Sequence, residues 1–198
     1  MDREIELKFL FAEQQREILV AWLNEHAVYE GSLQQEDRYF DNPHRSFFTK
    51  NEQGVVCADS FLRVRFTNKG DYVCLKNWHH DAITLEKTHC DEYETSVASG
   101  QTMCKLLQAE GYELDTIIIK ERNVYRYDCF EVAIDQVKGL GSFVEVELKD
   151  YAGAVDAGRA AIKQFVKNIG IGTCVLQRGG YVVMAKNPGI NFGETIIL

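Results

Sequence analysis

The chain is poor in proline and in linker-like sequence. It has two prolines in 198 residues, no Ser/Pro-rich stretch and no low-complexity run, so nothing in it marks a linker. Its apolar runs are too short to cross a bilayer, and charge begins at the second residue, so neither a membrane span nor a signal peptide is expected and the cytoplasm is the expected location. Positive charge is in deficit too. A formal net charge of −8 argues against a general nucleic-acid partner, although it leaves room for a local basic pocket. The cysteines Cys57, Cys74, Cys90, Cys104, Cys129 and Cys174 form no Cys-x-x-Cys pair and have no histidine at zinc-finger spacing, so they read as reduced thiols. His79-His80, Asp81 and His89 read as a polar hairpin loop rather than a metal cluster. Gly139-Leu140-Gly141 is not a dinucleotide fingerprint, because no helix-opening Gly-x-Gly-x-x-Gly follows it.

What the chain does have is charge at strand spacing. Glu4-Ile5-Glu6-Leu7-Lys8 alternates charged and aliphatic residues, so a strand places Glu4, Glu6 and Lys8 on one face and Ile5 and Leu7 on the other. The pattern returns at Glu145-Val146-Glu147-Leu148-Lys149, and Arg63-Val64-Arg65, Leu75-Lys76 and Lys120-Glu121-Arg122 lie between the copies. Strand composition covers residues 3–10, 38–40, 61–67, 72–77, 91–97, 116–121, 130–137 and 142–149. Helices are expected over Glu13–His26, Ser99 to about Glu110 and Ala152 to Asn168, the last closed by Gly170. Their apolar sides are read as Ile18, Leu19, Trp22 and Leu23 in the first and Met103, Leu106 and Leu107 in the second. Strand-then-helix near both ends, each led by Glu-x-Glu-x-Lys, hints at an internal two-fold repeat.

Two architectures fit such faces. An open sheet would bury its oily face under the helices and leave the charged face in water. A closed barrel would turn the charges inward, where only mutual pairing, water, metal or ligand offsets their desolvation. The carboxylates Glu4, Glu6, Glu92, Glu94, Asp135, Glu145 and Glu147 nearly balance the cations Lys8, Arg63, Arg65, Lys76, Lys120, Arg122 and Arg178. Guanidinium and ammonium groups suit a chain of phosphates, and carboxylates at strand spacing offer hard oxygen ligands to Mg²⁺ or Mn²⁺. Any single pair of these charges reads more readily as a solvated strand face or as half of cross-strand ion pairs, and it is the full set that points to a site.

The ordered motifs resemble the CYTH superfamily, also called triphosphate tunnel metalloenzymes. Glu4-Ile5-Glu6-Leu7-Lys8 resembles its Glu-x-Glu-x-Lys signature. Asp37-Arg38-Tyr39-Phe40-Asp41-Asn42-Pro43 resembles its Asp-x-Tyr-(Tyr/Phe)-Asp-x-Pro strand and turn. Leu62-Arg63-Val64-Arg65, Leu75-Lys76, Lys120-Glu121-Arg122 and Glu145-Val146-Glu147 resemble its arginine pair, lysine strand, Lys-x-Arg and late acidic pair. One departure is Cys90-Asp91-Glu92-Tyr93-Glu94, where the family often has Arg-x-Glu-x-Glu, so a basic contact there is missing or moved to Lys87.

The resemblance implies an α+β fold: a closed antiparallel β-barrel of about eight strands enclosing a triphosphate tunnel, with helices packed outside. It implies a single domain over residues 1–185 with a tail at 186–198, whose Asn187-Pro188-Gly189 breaks regular structure. It further implies metal ligation by Glu4, Glu6, Glu145 and Glu147, with Asp135 and Glu92 as helpers. Phosphate contacts would come from Lys8, Arg63, Arg65, Lys76, Lys120, Arg122 and Arg178, with Lys8, Arg63, Lys120 and Asp135 as the candidate catalytic groups.

Lys120-Glu121-Arg122-x-x-Tyr125 and Gly139-Leu140-Gly141-x-Phe143-x-Glu145 are most similar to the class IV adenylate cyclase branch. That implies ATP converted to cyclic AMP and pyrophosphate with Mg²⁺ or Mn²⁺, in a homodimer. Hydrolysis of tripolyphosphate, thiamine triphosphate or a nucleoside triphosphate is the alternative, and a polyphosphate- or nucleotide-binding module without catalysis is a third reading. Retention of both acidic pairs speaks against the third, since anion binding alone is better served by fewer carboxylates.

Overall fold

In the computed structural model, which describes residues 2–80 and 87–198, the alternating runs form long strands and the helically spaced runs cover them. In chain order the elements begin with β1 (Asp2–Leu10), α1 (Glu13–His26), β2 (Val28–Asp41), β3 (Phe48–Lys50), β4 (Val56–Ala58) and β5 (Ser60–Thr67). They continue with β6 (Gly70–His80), β7 (Lys87–Val97), α2 (Gly100–Ala109), β8 (Glu113–Tyr127), β9 (Phe130–Val137) and β10 (Gly141–Leu148). The last are α3 (Val155–Asn168), β11 (Thr173–Gln177), α4 (Tyr181–Lys186) and β12 (Gly193–Ile197). The sheet order is β10-β9-β8-β2-β5-β6-β7-β1, and β1 pairs back onto β10, so eight strands close into an antiparallel barrel. Beyond β1 the sheet continues through β11 to β12, so the tail residues 193–197 form a strand.

The chain divides into two compact units. The first consists chiefly of Leu33–Lys120 and Gly180–Ile190. Its core gathers Phe40 and Val64 from the sheet against Cys104 and Leu107 of α2. Ser99 caps α2 by accepting the Thr102 N–H at 3.2 Å, and the Asp71 carboxylate accepts the Gly100 N–H at 2.7 Å. Gly100 must stay small, because a Cβ there would lie 2.7 Å from the Phe66 ring. Asn68 and Lys69 turn β5 into β6, with the Thr67 hydroxyl donating to the Gly70 carbonyl at 2.8 Å.

The second unit consists of Glu4–Ser32, Glu121–Gly179 and Asn191–Leu198. Its core packs Ile5, Leu7 and Phe9 of β1 and Val144, Val146 and Leu148 of β10 with Leu19 and Leu23 of α1 and Ile162, Phe165 and Val166 of α3. Each fully buried large side chain of this kind contributes roughly 1.5–3 kcal/mol. The Gln15 side chain fastens the start of α1, accepting the Ala12 N–H at 3.0 Å and donating to the carbonyls of Ile171 and Thr173. Gly139, at φ +80°, turns β9 into β10, so the Gly-Leu-Gly stretch serves a hairpin.

The oily faces are buried under helices as the alternation requires, and the charged faces are largely buried as well. Asp37 and Asp135 are 1% and 0% exposed, and Glu4, Arg63 and Lys120 are all under a tenth exposed. Solvated outer charges would not be so hidden, which excludes the open sheet in favour of the closed barrel. Two expected helix faces are narrower than read. Ile18 and Leu106 are 45% and 52% exposed, because Leu19 with Leu23 and Cys104 with Leu107 already fill the contact stripes. The cysteines of the described structure are all free thiols. His79 and His89 face each other in register with rings stacked at 4.6 Å, and His79 Nε2 meets Asp91 Oδ2 at 2.9 Å. The hairpin end with Asp81, and the Lys87 side chain, lie outside the described residues.

Candidate active site

The second unit holds the acidic motif pair. β1 and β10 are antiparallel neighbours in a register that sets Glu6 opposite Glu147 and Lys8 opposite Glu145. Four carboxylates that are far apart in sequence thus share one face of two adjoining strands. Lys8 Nζ meets Glu145 at 2.9 Å. Arg122, from β8, grips Asp135 with its Nε at 2.7 Å and Nη2 at 2.6 Å, and it also contacts Glu145. Burial works against the Lys8 ammonium, but Glu145, Glu6 and Asp135 more than offset it and hold the group above its usual range.

Glu147 is different. Burial and the neighbouring Glu4 push its carboxyl up to about 7, against the pull of Lys149, which lies 2.6 Å away. Like charges set directly opposite in a sheet destabilise it. Glu4, Glu6 and Glu147 therefore form a set of hard oxygen donors in which like charges lie close to one another, which fits a small divalent cation. Glu145 shares the face but is neutralised by Lys8 and Arg122.

The first unit holds the other basic motifs. Arg63 and Arg65 alternate along β5 and point to one face, where Asp37 of β2 lies directly across from Arg65. Asp37 takes Arg65 on both carboxylate oxygens, at 2.6 and 2.8 Å, and Arg63 stands 3.7 Å away. Burial would raise the Asp37 carboxyl, yet Arg65, Arg63 and Lys120 hold it well below the usual range. Arg63 also reaches Glu92 at 3.6 Å and Glu94 at 3.4 Å, and Lys76 reaches Glu92 at 3.5 Å. Lys120 Nζ sits 5.0 Å over the Tyr181 ring.

Among the described residues, Cys74, Glu92 and Glu94 have donor atoms close enough for one ion. This set does not suit Mg²⁺ or Mn²⁺. Burial keeps the Cys74 thiol protonated up to about 12, and Arg63 and Lys76 already neutralise the two glutamates.

The expected site residues thus fall into two sets, one in each unit: Arg63, Arg65, Lys76 and Lys120 in the first, and Glu4, Glu6, Lys8, Arg122, Asp135, Glu145 and Glu147 in the second. Arg178 stands apart at the surface, 46% exposed, paired with Glu194 of β12. Sequence reasoning assigned no role to Cys74, Tyr181 or Lys149. Strand period alone would have found two of them, since Cys74 is two residues from Lys76 and Lys149 two from Glu147.

Each unit thus carries a largely buried, charge-paired strand face, one rich in carboxylates and the other in guanidinium and ammonium groups. The comparisons name the class. The family model described as CYTH domain matches residues 2–168, and the chain belongs to that family. A candidate adenylate cyclase of Methanocaldococcus jannaschii is 31% identical over 113 residues, 57% of this chain; the chain spans only 58% of that relative's length. The PH1819 protein of Pyrococcus horikoshii shares the fold at a TM-score of 0.68 and 19% identity, over 92% of this chain and 97% of that one. A candidate adenylate cyclase of Vibrio parahaemolyticus does so at 0.67 and 17%, over 93% and 98%. A candidate adenylyl cyclase of Hippeastrum, described as having a dominant triphosphatase activity, does so at 0.64 and 18%, over 93% and 94%. No helix of the described structure is long and apolar enough to cross a membrane.

Proposed function

We propose that the chain is a divalent-metal-dependent enzyme acting on triphosphates, and that its reaction is the conversion of ATP to cyclic AMP and pyrophosphate. The observation that supports this most is the face of β1 and β10, where Glu6 opposes Glu147 with Glu4 beside it and Lys8 at the next same-face position. Carboxylates crowded at mutual cost are the expected signature of a cation-binding group. Glu4, Glu6 and Glu147, with Glu145, would hold Mg²⁺ or Mn²⁺. When bound, that ion supplies positive charge that lowers the pKa of an attacking hydroxyl and draws charge from phosphate oxygens.

The chain's own side chains do the rest. Lys8 stays protonated among its carboxylates and presents a compact positive charge, and Arg122 is held by Asp135 in a fixed orientation. Arg63, Lys76 and Lys120 offer donors to phosphate oxygens in the first unit. In the cyclase reaction the ribose 3′ oxygen bonds to the α-phosphorus in line while the bond to the bridging oxygen of pyrophosphate breaks. Positioning and charge stabilisation suffice for this, and no nucleophilic side chain is required. The same groups serve hydrolysis with water as the attacking group. The triphosphatase activity ascribed to the Hippeastrum protein favours keeping that second reading. We place the enzyme in the cytoplasm, as a homodimer, with residues 1–185 as one functional domain and 186–198 as its tail.

Product analysis of the purified chain with ATP and, separately, with tripolyphosphate, each with Mg²⁺ or Mn²⁺, tests the reading against a Glu4→Gln/Glu6→Gln control. Cyclic AMP with pyrophosphate, lost in the control, establishes the cyclase. Orthophosphate from tripolyphosphate without cyclic AMP makes the enzyme a hydrolase. Turnover of neither overturns the cyclase and tripolyphosphatase readings and leaves thiamine triphosphate hydrolysis or binding without catalysis.

A further inference from the structure

Arg63 and Arg65 lie two residues apart on one strand face, and the family resemblance treats them alike. Their surroundings do not. Arg65 faces Asp37 across the β2–β5 ladder, and its Nε and Nη2 meet the two carboxylate oxygens at 2.6 and 2.8 Å. This is the two-point fork that locks a guanidinium most firmly. Arg63 also interacts with the Tyr39 hydroxyl, but its carboxylate contacts are wide, 3.7 Å to Asp37, 3.6 Å to Glu92 and 3.4 Å to Glu94, all beyond the length of a good charge-assisted bond. Its Nε is buried and has no hydrogen-bond partner among the described residues. A buried donor without an acceptor is costly, and a guanidinium held loosely by several carboxylates is ready to exchange them for a better anion. The second unit repeats the fork, with Arg122 locked on the fully buried Asp135.

We propose that Asp37 is a positioning residue: it holds Arg65 as its own counter-ion, away from the phosphates, and thereby leaves Arg63 as the β5 guanidinium that binds the substrate's phosphate. The inference rests on the triphosphate reading above. Asp37 touches no substrate; it acts through the arginines. With Arg65 satisfied, the carboxylate does not draw Arg63 into a close pair, and the Arg63 Nε keeps a vacancy that a phosphate oxygen fills. Were Arg65 removed, the freed carboxylate would capture Arg63 and add an unbalanced negative charge beside the anion.

The test is calorimetric titration of the full chain with inorganic tripolyphosphate in chelator, so that no metal and no turnover enter the readout. Arg63→Gln is expected to weaken binding by at least about tenfold, the scale of one lost charge-assisted bond. Arg65→Gln is expected to weaken it as well, by liberating Asp37. The decisive variant is Asp37→Asn/Arg65→Gln, which removes both charges and leaves two amides able to pair. It is expected to bind within about threefold of the wild type, the coupling that a residue acting only through its neighbour produces. Because the double variant buries no unpaired charge, its comparison with the wild type stands even where Arg65→Gln alone does not fold, and circular dichroism checks its fold. A double variant that binds as weakly as Arg63→Gln shows that Arg65 itself grips the phosphate and overturns the proposal. A wild type that binds no tripolyphosphate in chelator overturns this proposal, while the metal-loaded product analysis above decides the triphosphate reading separately; tight wild-type binding with failed rescue overturns this proposal alone.

Discussion

Replacing Asp37 by asparagine isolates the energetic weight of the buried charge in the first unit. The carboxylate is 1% exposed and forks onto Arg65, whose ion-pair partner in the described structure it is, while Arg63 keeps Glu92 and Glu94. Breaking a buried pair by removing one member typically costs about 3–5 kcal/mol, and since only one guanidinium is left stranded the lower end applies, about 3 kcal/mol. With a urea slope of about 2 kcal/mol/M, the unfolding midpoint falls by about 1.5 M at pH 7.

The pH dependence has a definite sign. Asp37 is held below its unfolded value of 3.8, so its stabilisation is complete above that value and is lost as pH falls through the lower folded value. The gap between wild type and Asp37→Asn is therefore constant near neutrality and narrows below about pH 4. Urea titrations of both proteins at pH 7, 5 and 3.5 measure it, and the difference between them cancels the other carboxylates. A gap under 0.5 kcal/mol at pH 7, taken here as roughly the scale of an ordinary surface change, refutes the reasoning. So does a gap that widens in acid.

Glu147→Gln relieves repulsion from Glu4 at the cost of a partly exposed pair with Lys149, so in chelator at pH 8 the variant is expected to be more stable by about 1 kcal/mol. Thermal melts check this, and they are expected to show that Mn²⁺ raises the wild-type Tm and raises that of the variant much less. Phe9→Ala empties a site with no exposed surface among Ile5, Leu19 and Val144, and a loss of about 3–5 kcal/mol is expected in denaturant titration. Asn187→Ala leaves the Val56 N–H and carbonyl without their partners at 2.8 and 2.9 Å, and about 1–3 kcal/mol of stability should go with it in the same assay. Thiol labelling of the native protein is expected to take Cys129, which is exposed, and to spare Cys74 and Cys174, whose thiols burial pushes up to about 12 and about 11; native labelling of either buried thiol contradicts the placement.

Much of this molecule was legible along the chain. Period-two alternation places Glu4, Glu6 and Lys8 opposite Ile5 and Leu7 whatever the strand packs against, because successive side chains leave a strand on opposite sides. Helical spacing likewise predicts α1 over Glu13–His26, the span observed. Local pattern was silent where a strand depends on a distant partner. Thr173–Gln177 and Gly193–Ile197 are short and weakly alternating, and they are strands because each supplies the other's ladder.

Pairing also decided what each charge does. Arg63 and Arg65 are equivalent as letters, and Glu145 and Glu147 are too. A one-to-one register sets Arg65 against Asp37 and leaves Arg63 with an unmet donor, and it gives Glu145 a lysine across the ladder while Glu147 faces a carboxylate there and takes its cation, Lys149, from just beyond its own strand. The sequence by itself determined which residues share a face, because that follows from the covalent geometry of one strand. Only the tertiary structure decided which of them are neutralised and which remain available, because ionic partnership acts over a few ångströms between strands that the chain order does not relate.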